Sequence, residues 1–535
     1  MSIIDRIIMK NNLLNSALLF CLLILASCDQ GFEELNKDPN AVTAEQFNPS
    51  FLLTTAQLRS AHGDHNTSLY YGTCFVQQMA SLSNVGIFDY HGDKYVYHKG
   101  NNEQLWNATY GSASESRPAK LIEDILVQTE GDPDFNNLHQ MARIWRTIIY
   151  HRLTDMYGDI PYFESSRGYY EQIFKPKYDA QKEIYLDMLS ELEDAVSKLD
   201  ASKENFAAAD IAYDGDIAKW KKLGNSMMLR LGMRLSKVEP STSEAWVKKA
   251  VAGGVFTDNE DNLLISGTDA TGTSAALANG MSWTISVGTR SPGKIAATFF
   301  NYLSDHNDPR LKYTVAVYTD PTDVSTKNTD PSVQKGLPNG LDRQTLEADP
   351  SYNPNSPGQE HQYSGVNRSV YAKLDGPRMF ITYAEVQYMM AEAAVRGWIS
   401  GDAASYYESG VTGAMKMLNQ YDASAVITDQ EIAEYLQAHP FVGAANTAAA
   451  LEQINTQYWA ATFLNGYEAF SNVRRSGYPV LTPINYPDNE TGGLFPGRLR
   501  YPDNEPVLNA ENYNAAVSRQ GADNYITKVW WDVAN

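Results

Sequence analysis

MARIWRTIIYHRLTDMYGDIPYFES, residues 141–165, decides the fold class. With Leu138 just before it, Met141, Ile144, Trp145, Ile148, Ile149, Leu153, Met156 and Tyr157 recur at spacings of three and four, so their side chains share one helix face. Gly158 and Pro161 then stop the helix. The same period returns downstream. Ile184, Tyr185, Met188, Leu189, Leu192, Ala195, Val196 and Leu199 make a second stripe, and Trp220, Leu223, Met227, Leu231 and Leu235 a third. Further helices are predicted over 43–60, 65–82, 103–129, 293–304, 380–397, 402–420, 428–438 and 447–470. Strand-like pieces are few, the best being 282–289 and 313–318. Many helices joined by short links predict a mainly α chain of packed helix pairs. No clean repeat of about 34 residues is present, so periodicity alone does not establish tetratricopeptide units.

Between the helices run long irregular stretches. Residues 266–280 are rich in Gly, Ser, Thr and Ala, and 320–366 are dense in Pro, Asp, Asn and Gly. The tail at 476–525 is similar and carries Tyr-Pro-Asp-Asn-Glu twice, at 486–490 and 501–505. Loops this long in a folded chain are usually functional or disordered.

Composition sets the outer limits. The chain has 535 residues, 43% apolar and 20% charged, which is globular and not disordered. Its 43 basic and 64 acidic residues leave a net charge of −21, and no Lys/Arg cluster stands out. Such a surface repels phosphate backbones, so nucleic acid is excluded as a partner. Three cysteines, Cys21, Cys28 and Cys74, are too few for a disulfide framework or a Cys-rich metal site. Tyrosine is in surplus, with 33 residues.

The first residues carry an address. Arg6 and Lys10 precede an apolar run at 13–27 that ends in Leu25-Ala26-Ser27-Cys28. The run is short for a membrane span and right for a signal-peptide core. A branched residue, two small ones and a cysteine, in that order, read as a bacterial lipobox, with 1–27 removed and Cys28 acylated. Several acyl chains on one cysteine meet the requirement that a single chain anchors only marginally.

Catalytic motifs are weak throughout. Gly288-Thr-Arg-Ser-Pro-Gly-Lys294 approaches a phosphate loop, but Ile295 stands where Ser or Thr should bind magnesium, and Pro292 removes a backbone donor. His62, His65, His91 and His98 lie close in sequence without matching a zinc pattern, and Asp214-Gly-Asp216 reads as a helix cap. No metal site or cofactor is therefore assigned. No Gly-x-Ser-x-Gly or His-Glu-x-x-His occurs. Binding chemistry is better represented. Phe88, Tyr90, Tyr95 and Tyr97 crowd one segment among Gly, Asp and His; Trp283 follows the Gly/Ser-rich loop; Tyr352 and Tyr363 sit in the Pro/Asn-rich one. A ring face can stack on the CH face of a pyranose while Asn, Asp or Arg takes its hydroxyls. The alternative is that these rings pin irregular loops to the helices.

Six segments together carry a resemblance. They are the 141–165 stretch, DGDIAKWKKLGNSMMLRLGMRL at 214–235, NDPRL at 307–311, TYAEVQYMMAEAAVRGW at 382–398, NGYEAFSNVRRSGYP at 465–479 and RLRYPDNEPVLN at 498–509. In this order they resemble the SusD/RagB family of Bacteroidota outer-membrane lipoproteins, in its SusD-like branch. The resemblance implies one domain over 28–535: an irregular tetratricopeptide-like scaffold of helical pairs, with loop-rich segments near 84–100, 262–366 and 476–525 carrying the ligand site. It implies a protein that is not an enzyme. Such a protein lies on the outer membrane facing the exterior, held by acylated Cys28, and Asp29 beside that cysteine fits surface export. Its partner is a SusC-like TonB-dependent barrel, to which it delivers oligosaccharide; some relatives take peptide instead, and a surface glycosidase is the enzymatic alternative. Relatives place ligand contacts in regions corresponding to the loop before Trp106 and to 267–290. By region and chemistry the ligand-binding residues are then Phe88, Tyr90, Tyr95, Tyr97, Trp283, Arg290, Tyr352 and Tyr363.

Overall fold

Apolar stripes at helical spacing fold as helices that pack on one another in chain order. In this computed structural model the described residues are 3–4, 9–10, 47–82, 91–111, 117–268, 278–286, 293–320, 322–355 and 362–533. The chain divides into Met1–Asn48 and Pro49–Asn535, and every element named below belongs to the latter. Cys28, Phe88, Tyr90 and Arg290 fall outside the described residues.

The first half runs α1 (Ser50–His62), β1 (Met79–Ala80), α2 (Lys99–Thr109), α3 (Pro118–Gln128), α4 (Asn136–Tyr157), α5 (Gln181–Lys198), α6 (Ile217–Arg234) and α7 (Pro240–Gly253). Next come β2 (Leu263–Ser266), α8 (Gly280–Ser286), β3 (Lys294–Ile295), α9 (Ala297–Asp305), β4 (Val315–Tyr318), β5 (Lys327–Asn328), β6 (Gly365–Val366) and β7 (Pro377–Ile381). The last part runs α10 (Tyr383–Val395), α11 (Ala403–Lys416), α12 (Asp429–Ala438), α13 (Thr447–Ala461), α14 (Gly466–Ser476) and α15 (Ala510–Gln520). The fold is mainly α, 55% helix and 5% strand, and its short strands form a five-stranded and a two-stranded sheet.

Helix α4 packs on α5, α5 on α6 and α6 on α7, while α10 packs on α11 and α13. The links at 235–239 between α6 and α7 and at 396–402 between α10 and α11 are short, which returns the chain alongside itself as a helical pair, while longer loops join α4 to α5 and α5 to α6. Caps fix the starts. Asp216 accepts the amides of Ala218 and Lys219 at the head of α6, and Thr382 with Glu385, and Thr428 with Glu431, form reciprocal capping boxes on α10 and α12. Trp145, Trp220, Trp459 and Trp531 are fully buried in the shared core.

Charges are buried there too. Arg230 on α6 donates to Glu385 on α10 at 2.5 Å, and Arg234 donates to Glu468 on α14 at 2.7 Å and lies 3.2 Å from Asp155 on α4. Tyr458 donates to Glu468 at 2.8 Å and to Glu385 at 3.2 Å. Arg475 grips both oxygens of Glu392, at 2.7 and 2.8 Å. Burial pushes the Glu392 carboxyl up, but Arg475 and Arg396 outweigh it and hold it well below the usual carboxylate range. Asp64 is shared by Arg152 and Arg378. Four helices that are distant in sequence are thus joined by charge-assisted bonds.

Several expectations are corrected. Residues 282–286 are helical, within α8, and not strand: the Asn279 side chain accepts the amides of Met281 and Ser282, and that cap overrides the β-branched run. The helix expected over 65–82 stops at Phe75, passes a π turn at Ser68–Gly72, and gives way to β1 after Gln77 takes a left-handed φ of 55°. The 103–129 helix divides into α2 and α3, because Gly111 turns the chain and Pro118 begins a new first turn. The 447–470 helix likewise divides, at left-handed Leu464, into α13 and α14. Residues 313–314 are helical, so that strand begins at Val315; residues 293–295 and 380–381 lie in or beside strands and not in helices.

One close approach ties the ends of the fold. A Cβ on Gly72 would lie 2.5 Å from the carbonyl carbon of Gly466, and one on Gly466 would lie 2.1 Å from the Ser68 carbonyl oxygen. Two backbones therefore touch where only glycine fits. The Gly466 amide donates to the Ser68 hydroxyl across 398 residues of chain. Among the described residues no helix is long and apolar enough to cross a membrane, and no group of three or more His, Cys, Asp or Glu stands ready for a metal ion.

Candidate ligand-binding face

The five-stranded sheet, in the order β1-β3-β6-β4-β5, collects the irregular segments. Met79 pairs with Ile295 and Ala80 with Lys294 in antiparallel register, and Lys294 also pairs with Gly365. Neighbouring strands lie about 4.8 Å apart. Leu82 follows β1 and Gly293 precedes β3, so the chain enters 83–90 and leaves 287–292 at the same end of two adjacent strands. The segments that hold Phe88, Tyr90 and Arg290 thus start or finish side by side.

The region 320–366 is fastened to the same sheet. Ala80, Leu82, Ala296, Leu337, Leu346 and Tyr363 form a small apolar cluster of their own, with Tyr352 packed against it. The Arg343 amide donates to the Leu82 carbonyl at 3.2 Å, and the Asn339 side chain to the Met79 carbonyl at 2.9 Å. Tyr363 donates to Asp349 at 2.7 Å, while the Lys335 ammonium lies 4.4 Å from its ring centre and 3.6 Å from Asp349. Lys294 is buried in β3, and burial, helped by Arg368 and Arg343, lowers its ammonium to about 8. Asp342 accepts the Tyr486 hydroxyl at 2.8 Å.

The described residues expected at a site separate sharply. Trp283 stands on α8, whose last residue, Ser286, precedes 287–292, and is 39% exposed. Its helix is held from behind, where Asn279 donates to the Gly376 carbonyl at 3.0 Å and Ser282 to the Tyr371 carbonyl at 2.9 Å. Tyr352 is half-buried on the sheet cluster. Tyr363 is buried, and its role is to pin the loop. The assignment of Tyr363 as a ligand contact is therefore corrected, and two others need the same correction. Tyr95 is buried in the main core edge-on to Phe75, at 5.8 Å between ring centres, so neither face is open. Tyr97 donates to Asp503 at 2.8 Å, and the Arg500 guanidinium covers its ring at 4.3 Å. These tyrosines pack as the loop-pinning alternative requires. His62, His65 and His98 serve structure: His65 and His62 bond backbone carbonyls, and His98 accepts the Asn101 amide at the start of α2.

What the described residues offer is the exposed Trp283 ring on α8 and, on the sheet, the half-buried Tyr352 beside the hydroxyl, carboxylate and ammonium groups of Tyr363, Asp349 and Lys335. That set suits binding of a polar ligand that has apolar faces.

Comparison with known proteins supplies the family. Residues 39–502 match the family model SusD-like, described as starch-binding and associating with the outer membrane. Among solved structures, a chitin-binding protein is 33% identical over 91% of this chain and 100% of its own, with a TM-score of 0.77. A SusD-like protein of Bacteroidetes AC2a is 28% identical over 91% and 100%, with a TM-score of 0.78. A chitin-binding SusD homologue of Flavobacterium johnsoniae, 23% identical over 91% and 98%, shares the fold at a TM-score of 0.73. No curated protein matches the chain.

Proposed function

We propose, from the premise that this chain belongs to the SusD-like family, that it is a glycan-capturing protein of the outer-membrane surface. It binds oligosaccharide where 83–90 and 287–292 meet the sheet, with Trp283 as the stacking ring and Phe88, Tyr90, Arg290 and Tyr352 completing the face. It carries out no bond-making or bond-breaking. Acylated Cys28 holds it to the membrane, and a SusC-like TonB-dependent barrel receives the ligand. What supports this reading is that Leu82 and Gly293, which flank the segments bearing Phe88, Tyr90 and Arg290, lie at the same end of two adjacent strands, and that Trp283 is exposed. The relative described as chitin-binding, 33% identical, favours an N-acetylglucosamine oligomer, and the family's description favours a glucose oligomer.

The test is calorimetric titration of the chain from Asp29 onward with chitohexaose and maltohexaose, alongside a peptide digest. Saturable binding of one hexaose, weakened about tenfold in Trp283→Ala, is expected. Binding of peptide alone, or release of reducing ends from either sugar, would overturn the reading.

A further inference from the structure

A second concavity lies away from that sheet. It is open to solvent and holds about 1010 Å³ between α2, the N-terminal end of α3, the loop 165–176 and the Glu505–Leu508 turn. Trp106 and Tyr110 make its inner end. Trp106 is buried and stacks on Tyr178 at 5.8 Å, and the Tyr110 hydroxyl donates to the Pro161 carbonyl at 2.5 Å. Glu505 lines the wall and accepts the Tyr178 hydroxyl at 2.5 Å; burial raises its carboxyl above the usual range. The outer rim is Tyr169, 83% exposed, and Phe174, 79% exposed.

Two rings this open need a reason. Burying either would contribute about 1.5–3 kcal/mol. They are not open because the loop is loose. Tyr150 donates to Ser165 at 2.8 Å, and the Lys177 amide donates to Glu164 at 3.0 Å. Arg167 pairs with Glu123 at 3.0 Å and with Glu171 at 2.5 Å, and Tyr170 donates to Asp124 at 2.8 Å. From the other side, Asn512 and Asn509 donate to the carbonyls of Lys175 and Pro176, at 3.0 and 2.8 Å. Ser166 and Gln172 hold left-handed backbones, with φ of 64° and 57°. Tyr170 is tied down while its neighbour Tyr169 stands out. The loop is built to present rings.

We infer that this cavity is a second oligosaccharide-binding site, in which Tyr169 and Phe174 stack on pyranose faces and Ser166 and Gln172 take hydroxyls. The inference rests on the glycan-capturing reading. The volume is at the upper end of ligand pockets, about 300–1,000 Å³, so it accepts several sugar units in a row. The ligand is neutral: Lys120 on the rim is already paired with Asp124 at 2.7 Å, and the other two charged lining residues, Arg117 and Glu505, are one basic and one acidic. Binding is therefore insensitive to salt. A concavity lined mainly by rings and other apolar groups, with a few polar side chains among them, also suits a sugar chain.

The experiment is hydrogen-exchange mass spectrometry on the chain from Asp29 onward, with chitohexaose and maltohexaose, at low and high salt. It is paired with titration of a Tyr169→Ala/Phe174→Ala double variant and of Trp283→Ala. Both rings are exposed, so the double variant keeps its fold, which its unfolding midpoint checks. The expected result is glycan-dependent protection of 165–176 that high salt does not remove, with at least a tenfold loss of one binding class in the double variant and the other class reduced only by Trp283→Ala. Protection near α8 and β3 alone, with the double variant binding as the parent does, overturns the second site and leaves the proposed function standing. No protection by either sugar overturns both. Protection of 165–176 only on adding the co-purified barrel assigns this rim to a protein partner and overturns the inference. Protection lost at high salt replaces the neutral ligand with a charged one and overturns it as stated.

Discussion

The interior between α4, α6, α10 and α14 and the loop 165–176 contain similar residues put to opposite uses. In the interior, arginines, glutamates and tyrosines satisfy one another: Arg230, Arg234, Glu385, Glu468 and Tyr458 form one bonded set, all buried. In the loop, most hydrogen bonds hold the backbone or its flanking side chains, while the Tyr169 and Phe174 rings are left open. The first arrangement is closed off from solvent and specifies one packing. The second fixes the chain and leaves faces unused. The sheet end with Trp283 follows the second pattern, and Tyr95 and Tyr97 follow the first.

The comparison can be broken most forcefully at Glu468. Glu468→Ala strips Arg234 of its closest carboxylate, and an uncompensated buried charge costs about 3–5 kcal/mol. Urea unfolding should show that loss, while glycan affinity per folded molecule stays unchanged. Acid probes the same interior through histidine. Burial, reinforced by Arg378 for His62 and by Arg230 for His151, lowers both rings to about 4. The fold holds them neutral and the unfolded chain protonates them, so their stabilisation is complete above pH 6.5 and is lost as pH falls toward 4. Between pH 7 and 5 each should cost about 1–2 kcal/mol, read from the unfolding midpoint and its proton uptake. A flat profile there would mean that these rings take up protons in the fold as readily as in the unfolded chain.

Smaller effects sharpen the contrast. Tyr363→Phe removes the bond to Asp349 and should cost about 1.5 kcal/mol, with faster amide exchange in the flanking residues 349–353. Tyr169→Ser and Phe174→Ser should change stability by no more than about 0.5 kcal/mol. A larger loss from either would show that the ring supports the fold, and the distinction between the two regions would fail at the loop.

The scaffold was legible because its stripes are long. Over 138–157, 184–199 and 217–235 the apolar period names both the helix and its buried face, and α4, α5 and α6 follow it. The charges set into those faces carried a signal that periodicity scans pass over: Arg230 and Arg234 stand four apart on one buried side of α6, so both reach Glu468. Trp106 read as core from its helix and is buried, but its place at the end of a cavity depends on Tyr178 and Glu505, far along the chain. Tyr169 and Phe174 lie in a stretch with no period at all, so nothing local separates a presented ring from a packed one. The same holds for Tyr95 and Tyr97, whose covers, Phe75 and Arg500, come from elsewhere. Ring faces are settled by tertiary neighbours, and sequence spacing does not reach them.

The touching glycines at 72 and 466 have a consequence for the order of assembly. A contact across 398 residues has a large loop-closure entropy to overcome and forms only when most of the chain is present. The α4–α7 pairs can dock as they emerge, but the π turn at Ser68–Gly72 has to wait for α14. Until α14 arrives, the tyrosines of that turn remain uncovered, and a chain cut short before Gly466 would expose them to aggregation and to proteases.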